Sequence, residues 1–163
     1  MHQGTMNIME DLVNRFLDKD AELKIADIGS YDYNGSYKKL LDGPDGWEYT
    51  GIDVSAGPNV DIVVPELDNW DAIADESFDV VISGQCLEHV KMPWKLVKQA
   101  YRITKPGGHN FHIAPHTWGQ HRFPLDCWRI FPDGMRVLMT EVVAFKELEC
   151  KLDAKNTWFA GCK

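Results

Sequence analysis

The chain has 163 residues, 44% hydrophobic and 26% charged, a balance that suits one folded globular domain and excludes a disordered or fibrous chain. Its 17 Lys and Arg stand against 25 Asp and Glu, a formal net charge of −8, which repels a phosphate backbone, so long nucleic acid is not expected as a partner. No apolar run approaches the roughly 20 residues that cross a bilayer, and the opening MHQGTMNIMEDLVNRF lacks a cationic flank followed by an apolar stretch, so no membrane and a cytoplasmic location are expected.

Met9, Leu12, Val13, Phe16 and Leu17 recur at helical spacing. Asn7 and Glu10 are placed as a cap and its third-position partner, so the chain is expected to open with an amphipathic helix. Residues 24–29 (KIADIG) read as a strand that stops at a turn, and Tyr37, Leu40 and Leu41 suggest a short helix closed by Gly43-Pro44. Residues 49–53, 60–64 and 78–82 are three more strands, each too short for a buried helix. Pro93 sits as the first-turn proline of a helix carrying Val97, Ala100 and Tyr101, which ends before Lys105-Pro106-Gly107-Gly108. A strand follows at 111–114, and Pro132 starts a helix with Met135, Leu138 and Met139. Leu148, Cys150 and Leu152 alternate with charged residues, and 158–162 follow a polar turn at 153–156, the pattern of a hairpin. Strands alternating with helices until two strands adjoin predict an α/β, Rossmann-like open sheet in one domain, 1–163. The sheet should be mostly parallel with an antiparallel C-terminal hairpin and helices on both faces.

In such a sheet the ligand crevice lies beyond the carboxyl ends of the strands. Here those ends are acidic: Asp27 closes the first strand, Asp32 lies in the following turn, and Asp53 closes the second strand. Neither G-x-G-x-x-G, for a pyrophosphate, nor G-x-x-x-x-G-K-[ST], for a triphosphate, is present. A nucleoside with a cationic tail suits these acids better: Asp53 could accept both ribose hydroxyls, and Asp27 or Asp32 could sit near an ammonium or sulfonium. S-adenosylmethionine is such a molecule. The acids could instead cap the helices that follow. The cysteines, Cys86, Cys127, Cys150 and Cys162, form no C-x-x-C pair, which excludes a zinc knuckle and a thioredoxin-like motif.

The stretches ADIGSYDYNGSY, YTGIDVS, ESFDVVISGQCLEHV and KPGG, in that order, resemble the motif series of class I S-adenosylmethionine-dependent methyltransferases. The segment 121–134, His121-Arg122-Phe123-Pro124-Leu125-Asp126-Cys127-Trp128-Arg129-Ile130-Phe131-Pro132-Asp133-Gly134, is similar to the H-R-x-P-x-D-x-W-R-x-x-P-D-G of a bacterial type-11-like subgroup. The resemblance implies that Asp27, Gly29, Ser30 and Tyr31 surround the methionine part of the cofactor. Asp53 would hold the ribose, Val54 would lie against the adenine, and Ser83, Gly84 and Gln85 would touch the amino-acid end. It also implies a methyl acceptor that is a hydroxyl or amine of a small molecule or sugar.

Such an acceptor must lose a proton, and histidine titrates nearest neutral pH, so His116, His121 and His89 are the expected bases in that order. Arg122, Asp126, Trp128 and Arg129 are expected at the substrate, with a structural role for Asp126, Trp128 and Arg129 as the alternative. Glu88 and His89 could equally be first-turn surface residues of a helix. Some O-methyltransferases of this fold carry E-x-x-E-H and bind a divalent ion there. Gln85 removes one of those anionic ligands, so no metal is expected. The rival reading is a catalytically inactive cofactor-fold subunit acting through a partner, which the tyrosines in the glycine loop favour.

Overall fold

Short β-branched runs bury both of their faces only at the centre of a sheet, and those at 24–28 and 78–82 lie there, whereas 62–63 lies at an edge. In the computed structural model, which describes residues 3–42 and 45–163, seven strands form one sheet among the described residues, ordered β3-β2-β1-β4-β5-β7-β6. They are β1 (Leu23–Ile28), β2 (Trp47–Asp53), β3 (Ile62–Val63), β4 (Phe78–Gly84), β5 (Thr104–Pro115), β6 (Lys146–Leu152) and β7 (Asn156–Cys162). β1 to β5 pair in parallel, and β7 runs antiparallel between β5 and β6. This is the predicted open sheet with its antiparallel C-terminal hairpin.

Alternate residues of each strand feed two cores. On one face Ile25, Val80, Ile82, Phe111 and Ile113 meet Met9, Leu12 and Val13 of helix α1 (Gln3–Phe16) and Leu41 of α2 (Lys38–Leu41). On the other, Ala26, Ile28, Val81 and Ala114 meet Leu96, Val97 and Ala100 of α3 (Pro93–Ile103) and Met135 of α4 (Pro132–Arg136). Helices therefore cover both faces. None of them is long and apolar enough to cross a membrane among the described residues.

Several expectations need correction. α1 begins at Gln3, so Asn7 is inside the helix, accepting a hydrogen bond from the Gln3 amide at 2.8 Å rather than capping. Strand and helix do not alternate throughout: loops alone join β2 to β3 and β3 to β4, and β3 is only Ile62–Val63. β5 starts at Thr104, so Lys105 to Gly108 form an irregularity within its pairing with β4 rather than a loop before it. The helix from Pro132 becomes a π-helical turn at Val137–Val142. The proposed stop at Gly43-Pro44 lies outside the described residues.

Candidate functional site

The strand order reverses between β1 and β4, so the connections leaving those two strands diverge and open a crevice. The backbone after β1 turns over the end of β2, with the Gly29 and Ser30 N–H groups donating to the Ile52 carbonyl at 2.8 and 3.2 Å. Gly29 has φ +82, and a Cβ there would stand 2.8 Å from Cys86, so only glycine lets the two connections approach. Gly84 is equally constrained, because a Cβ would lie 2.1 Å from the Tyr37 hydroxyl. Between these turns lies a cleft of about 450 Å³, within the range of small-ligand sites.

Asp53, at the end of β2, lines this cleft. Its Oδ2 accepts the Tyr31 N–H at 3.1 Å and its Oδ1 accepts the Ser55 N–H at 3.2 Å. A carboxylate oxygen has two lone-pair sites, so each retains capacity for a hydroxyl. Among the described residues no lysine or arginine lines the cleft, so no permanently cationic side chain is there to neutralise a phosphate. One wall is apolar, with Val64, Leu67 and Trp70. Pro65-Glu66-Leu67 therefore contributes Leu67 to the cleft, while Glu66 is exposed.

Above the cleft, Tyr31 and Tyr33 stack at 4.4 Å between ring centroids, and Phe123 meets Tyr33 at 5.2 Å. Tyr33 is 62% and Phe123 48% exposed. Aromatic rings left in water over a pocket form a partial roof that gains burial only when the pocket fills. Phe123 was not singled out in the sequence, where it sits among the charged residues of 121–129. The signal is its position two residues after His121 in a loop that returns over the sheet.

That loop is fixed from below. Arg129 clamps Asp126 through two bonds at 2.7 and 2.9 Å and also donates to the Trp118 and Gly119 carbonyls at 3.0 and 3.1 Å. The guanidinium holds the Asp126 carboxyl well below the usual carboxylate range. Trp128 Nε1 donates to the Val90 carbonyl at 2.8 Å, and the Cys127 and Trp128 N–H groups donate to the Glu88 carbonyl at 2.7 and 3.2 Å. Asp126, Trp128 and Arg129 thus bind the loop to itself and to the 3-10 turn Leu87–His89.

The expected site residues separate accordingly. Gly29, Tyr31, Asp53, Val54, Gly84, Gln85, His89 and His121 line the cleft; Asp27, Ser30, Ser83, His116, Arg122, Asp126, Trp128 and Arg129 do not. Asp27 is buried behind the cleft wall and accepts the Tyr49 hydroxyl at 2.8 Å; burial pushes its carboxyl up to about 7. Ser83 is buried against His112 at 2.7 Å. His116 spends both ring nitrogens, on the Asp153 carbonyl at 3.0 Å and the Thr117 hydroxyl at 2.7 Å. Burial pushes the Cys86 thiol up, which leaves it un-ionised and a poor nucleophile.

The profile of the "methyltransferase domain" family matches residues 26–111, more than half of the 163 residues. The chain belongs to this family. The matched span of this methyltransferase domain holds Gly29, Asp53, Gly84 and His89, and stops before the 121–129 loop. A SAM-dependent methyltransferase from Aquifex aeolicus has a crystal structure similar to it at a TM-score of 0.67 and 12% identity, over 99% of this chain and 98% of that one. A Burkholderia thailandensis 1,6-didemethyltoxoflavin-N1-methyltransferase, crystallised with 1,6-didemethyltoxoflavin and S-adenosylhomocysteine, gives 0.71 and 14% over 99% and 77%. These likenesses are ones of fold. An uncharacterized methyltransferase of Mycobacterium bovis is 47% identical over 36 residues, which cover 22% of this chain and 14% of that relative.

Proposed function

We propose that this chain is a cytoplasmic S-adenosylmethionine-dependent methyltransferase of a single domain, transferring a methyl group to a hydroxyl or amine of a small molecule or sugar. The observation that carries the reading is Asp53, a carboxylate with free acceptor capacity in a cleft that no lysine or arginine lines among the described residues. That donor set fits a ribose and a sulfonium and does not fit a pyrophosphate. The turns at Gly29 and Gly84 supply the close backbone approach that such a ligand needs.

S-adenosylmethionine, when bound, supplies a methyl group already activated on a sulfonium. The protein's task is then to position, to exclude water and to accept a proton. Asp53 grips the ribose, Val54, Leu67 and Trp70 offer an apolar seat for the base, and Gly84 and Gln85 flank the amino-acid end. Asp27, Ser30 and Ser83 act from behind the wall as positioning residues. Tyr33 and Phe123 keep water out. His121 and His89 face the cleft and are the proton acceptors of this reading, because each hydrogen-bonds a carbonyl through Nδ1 and keeps Nε2 free. His116 has neither ring nitrogen free. Asp126, Trp128 and Arg129 act on the acceptor through the loop that they hold, and the exposed Arg122 of the same loop is a candidate direct contact.

Calorimetry with S-adenosylhomocysteine, followed by transfer of a labelled methyl group to a panel of hydroxyl and amine acceptors, tests the proposal. Saturable binding with transfer supports it. Saturable binding without transfer to any acceptor points to the partner-binding subunit, a reading the intact Asp53 site does not favour, and no binding at all sinks the cofactor assignment.

A further inference from the structure

We propose that the methyl acceptor is an uncharged aromatic compound with a ring hydroxyl, its ring lying against Phe123 and Tyr33 and its hydroxyl at His89 or His121. The inference deepens the methyltransferase reading, on which it rests, by choosing one acceptor class for the same cleft.

The cleft has two ends. Strand order puts β2 and β4 on opposite sides of β1, so Asp53, at the end of β2, stands toward one end, and the residues that follow β4 and β5 stand toward the other. Past the turn at 84–86, the lining of that second side among the described residues is His89, Val90, Leu96, His121, Phe123 and Pro124. The only hydrogen-bonding side chains in this set are the two imidazoles. Tyr33 reaches over from the turn after β1 and meets Phe123 at 5.2 Å between ring centroids. Both imidazoles stand steeply to the Phe123 ring, His89 at 6.1 Å and 82°, His121 at 6.4 Å and 62°.

That wall selects against a sugar. A sugar brings several hydroxyls, and each one buried without a partner is costly; a flat ring brings none beyond the one that reacts. Tyr33 is 62% and Phe123 48% exposed, so a ring laid against them takes apolar surface of both partners out of water and gains the contact that aromatic pairs favour. Among the described residues no lysine or arginine lines the cleft, so an acceptor carrying a phosphate or carboxylate meets no permanent cation there.

Base strength favours the same class. The hydroxyl oxygen takes the methyl group as its proton goes to an imidazole Nε2 and the carbon–sulfur electron pair goes to sulfur, leaving an aryl methyl ether, a neutral thioether and one imidazolium. Each imidazole bonds a carbonyl through Nδ1, so Nε2 holds the lone pair. An ordinary imidazole titrates at about 6.5 and a phenol at about 10, a gap of about 3.5, whereas an alkyl hydroxyl resembles water at about 15.7, a gap of about 9. Burial holds His89 below its ordinary value, which widens both gaps alike and leaves the phenol the reachable one. An alkylammonium matches the imidazoles as well in acidity but has no flat face to lay on the two rings.

The test titrates the chain, saturated with S-adenosylhomocysteine, with 2-naphthol, its saturated counterpart 2-decalol, 2-naphthoate, cyclohexylmethylamine and methyl glucoside, followed by calorimetry. Saturable binding of 2-naphthol is expected, at least about tenfold tighter than that of each other probe. Phe123→Leu keeps an apolar side chain without the ring, and should weaken 2-naphthol roughly two- to tenfold while leaving 2-decalol within about twofold. Tyr33→Leu serves in its place if a thermal melt shows that the Phe123 variant is unfolded. Equal or tighter binding of any other probe, no loss in the variant, or no saturable binding of 2-naphthol would overturn the acceptor class. S-adenosylhomocysteine titrated alone keeps the two proposals apart. Its binding survives a failure of the acceptor class, and its own failure sinks the cofactor assignment while the naphthol and decalol titrations, repeated without it, still read the ring preference.

Discussion

Gly29 and Cys86 hold the two connections at the switch point so close that a single Cβ on Gly29 would stand 2.8 Å from both Cβ and Sγ of Cys86. Gly29→Ala places a side chain at φ +82, a left-handed conformation that costs about 1–2 kcal/mol, and adds overlap of a kind that costs about 1–3 kcal/mol. Urea unfolding should show at least the first of these losses. Cys86→Gly in the same chain should recover the overlap and leave the backbone strain; if it recovers nothing, the contact is not the source.

On the proposed seating of the cofactor, Asp53→Ala removes the hydrogen bonds offered to the ribose. Bonds to a charged acceptor contribute about 1.5–3 kcal/mol each, so affinity for S-adenosylmethionine should fall tenfold or more. Unchanged affinity by calorimetry would mean that the ribose sits elsewhere.

Tyr33→Ala and Phe123→Ala remove rings that are largely in water before a ligand arrives. Thermal stability should change little. Cofactor affinity should weaken roughly two- to tenfold for each variant, the scale of an aromatic contact of about 0.5–1.5 kcal/mol. Equal losses of stability and affinity would show that the roof is part of the core instead.

Arg129→Ala strips Asp126 of its clamp and removes one donor each from the Trp118 and Gly119 carbonyls. Asp126 has a side chain only 2% exposed, and breaking a buried ion pair costs about 3–5 kcal/mol; the partly exposed Arg129 puts this case toward the lower end. Arg129→Lys should recover only part of it, because an ammonium cannot reproduce the paired contacts. A melt unchanged in Arg129→Ala would refute the structural role.

Glu149 joins α1 to the hairpin by accepting from Arg15, Lys151 and Trp158. Burial raises its carboxyl, the hydrogen bonds outweigh it, and the result is about 2. A carboxyl lowered by folding contributes stability that is complete above its unfolded value near 4.5 and is lost as pH falls toward 2. The difference in melting temperature between wild type and Glu149→Gln should therefore shrink steadily across that window; a constant difference would mean that the ionised form is not what matters.

The sequence by itself determined the sheet, the hairpin and the placing of Gly29, Asp53 and Gly84 where strands open on the cleft, because these depend on short-range order. Strand alternation is visible over a few residues, and Gly29, Asp53 and Gly84 each fall at the end of a strand. Residues whose role depends on distant partners were not legible. The sequence ranks His116 first among the bases, yet the hairpin turn at Asp153 claims it. Asp126 and Arg129 read as substrate contacts or as structural residues, and their mutual clamp shows what they hold. Glu88 and His89 read equally as the surface of a helix start and as residues of the site, and packing of the 121–129 loop over the 3-10 turn buries Glu88 and brings His121, 33 residues further along the chain, to 4.0 Å from it. Only the tertiary structure decides such meetings, since burial and hydrogen-bond partners are set by which loop covers which turn.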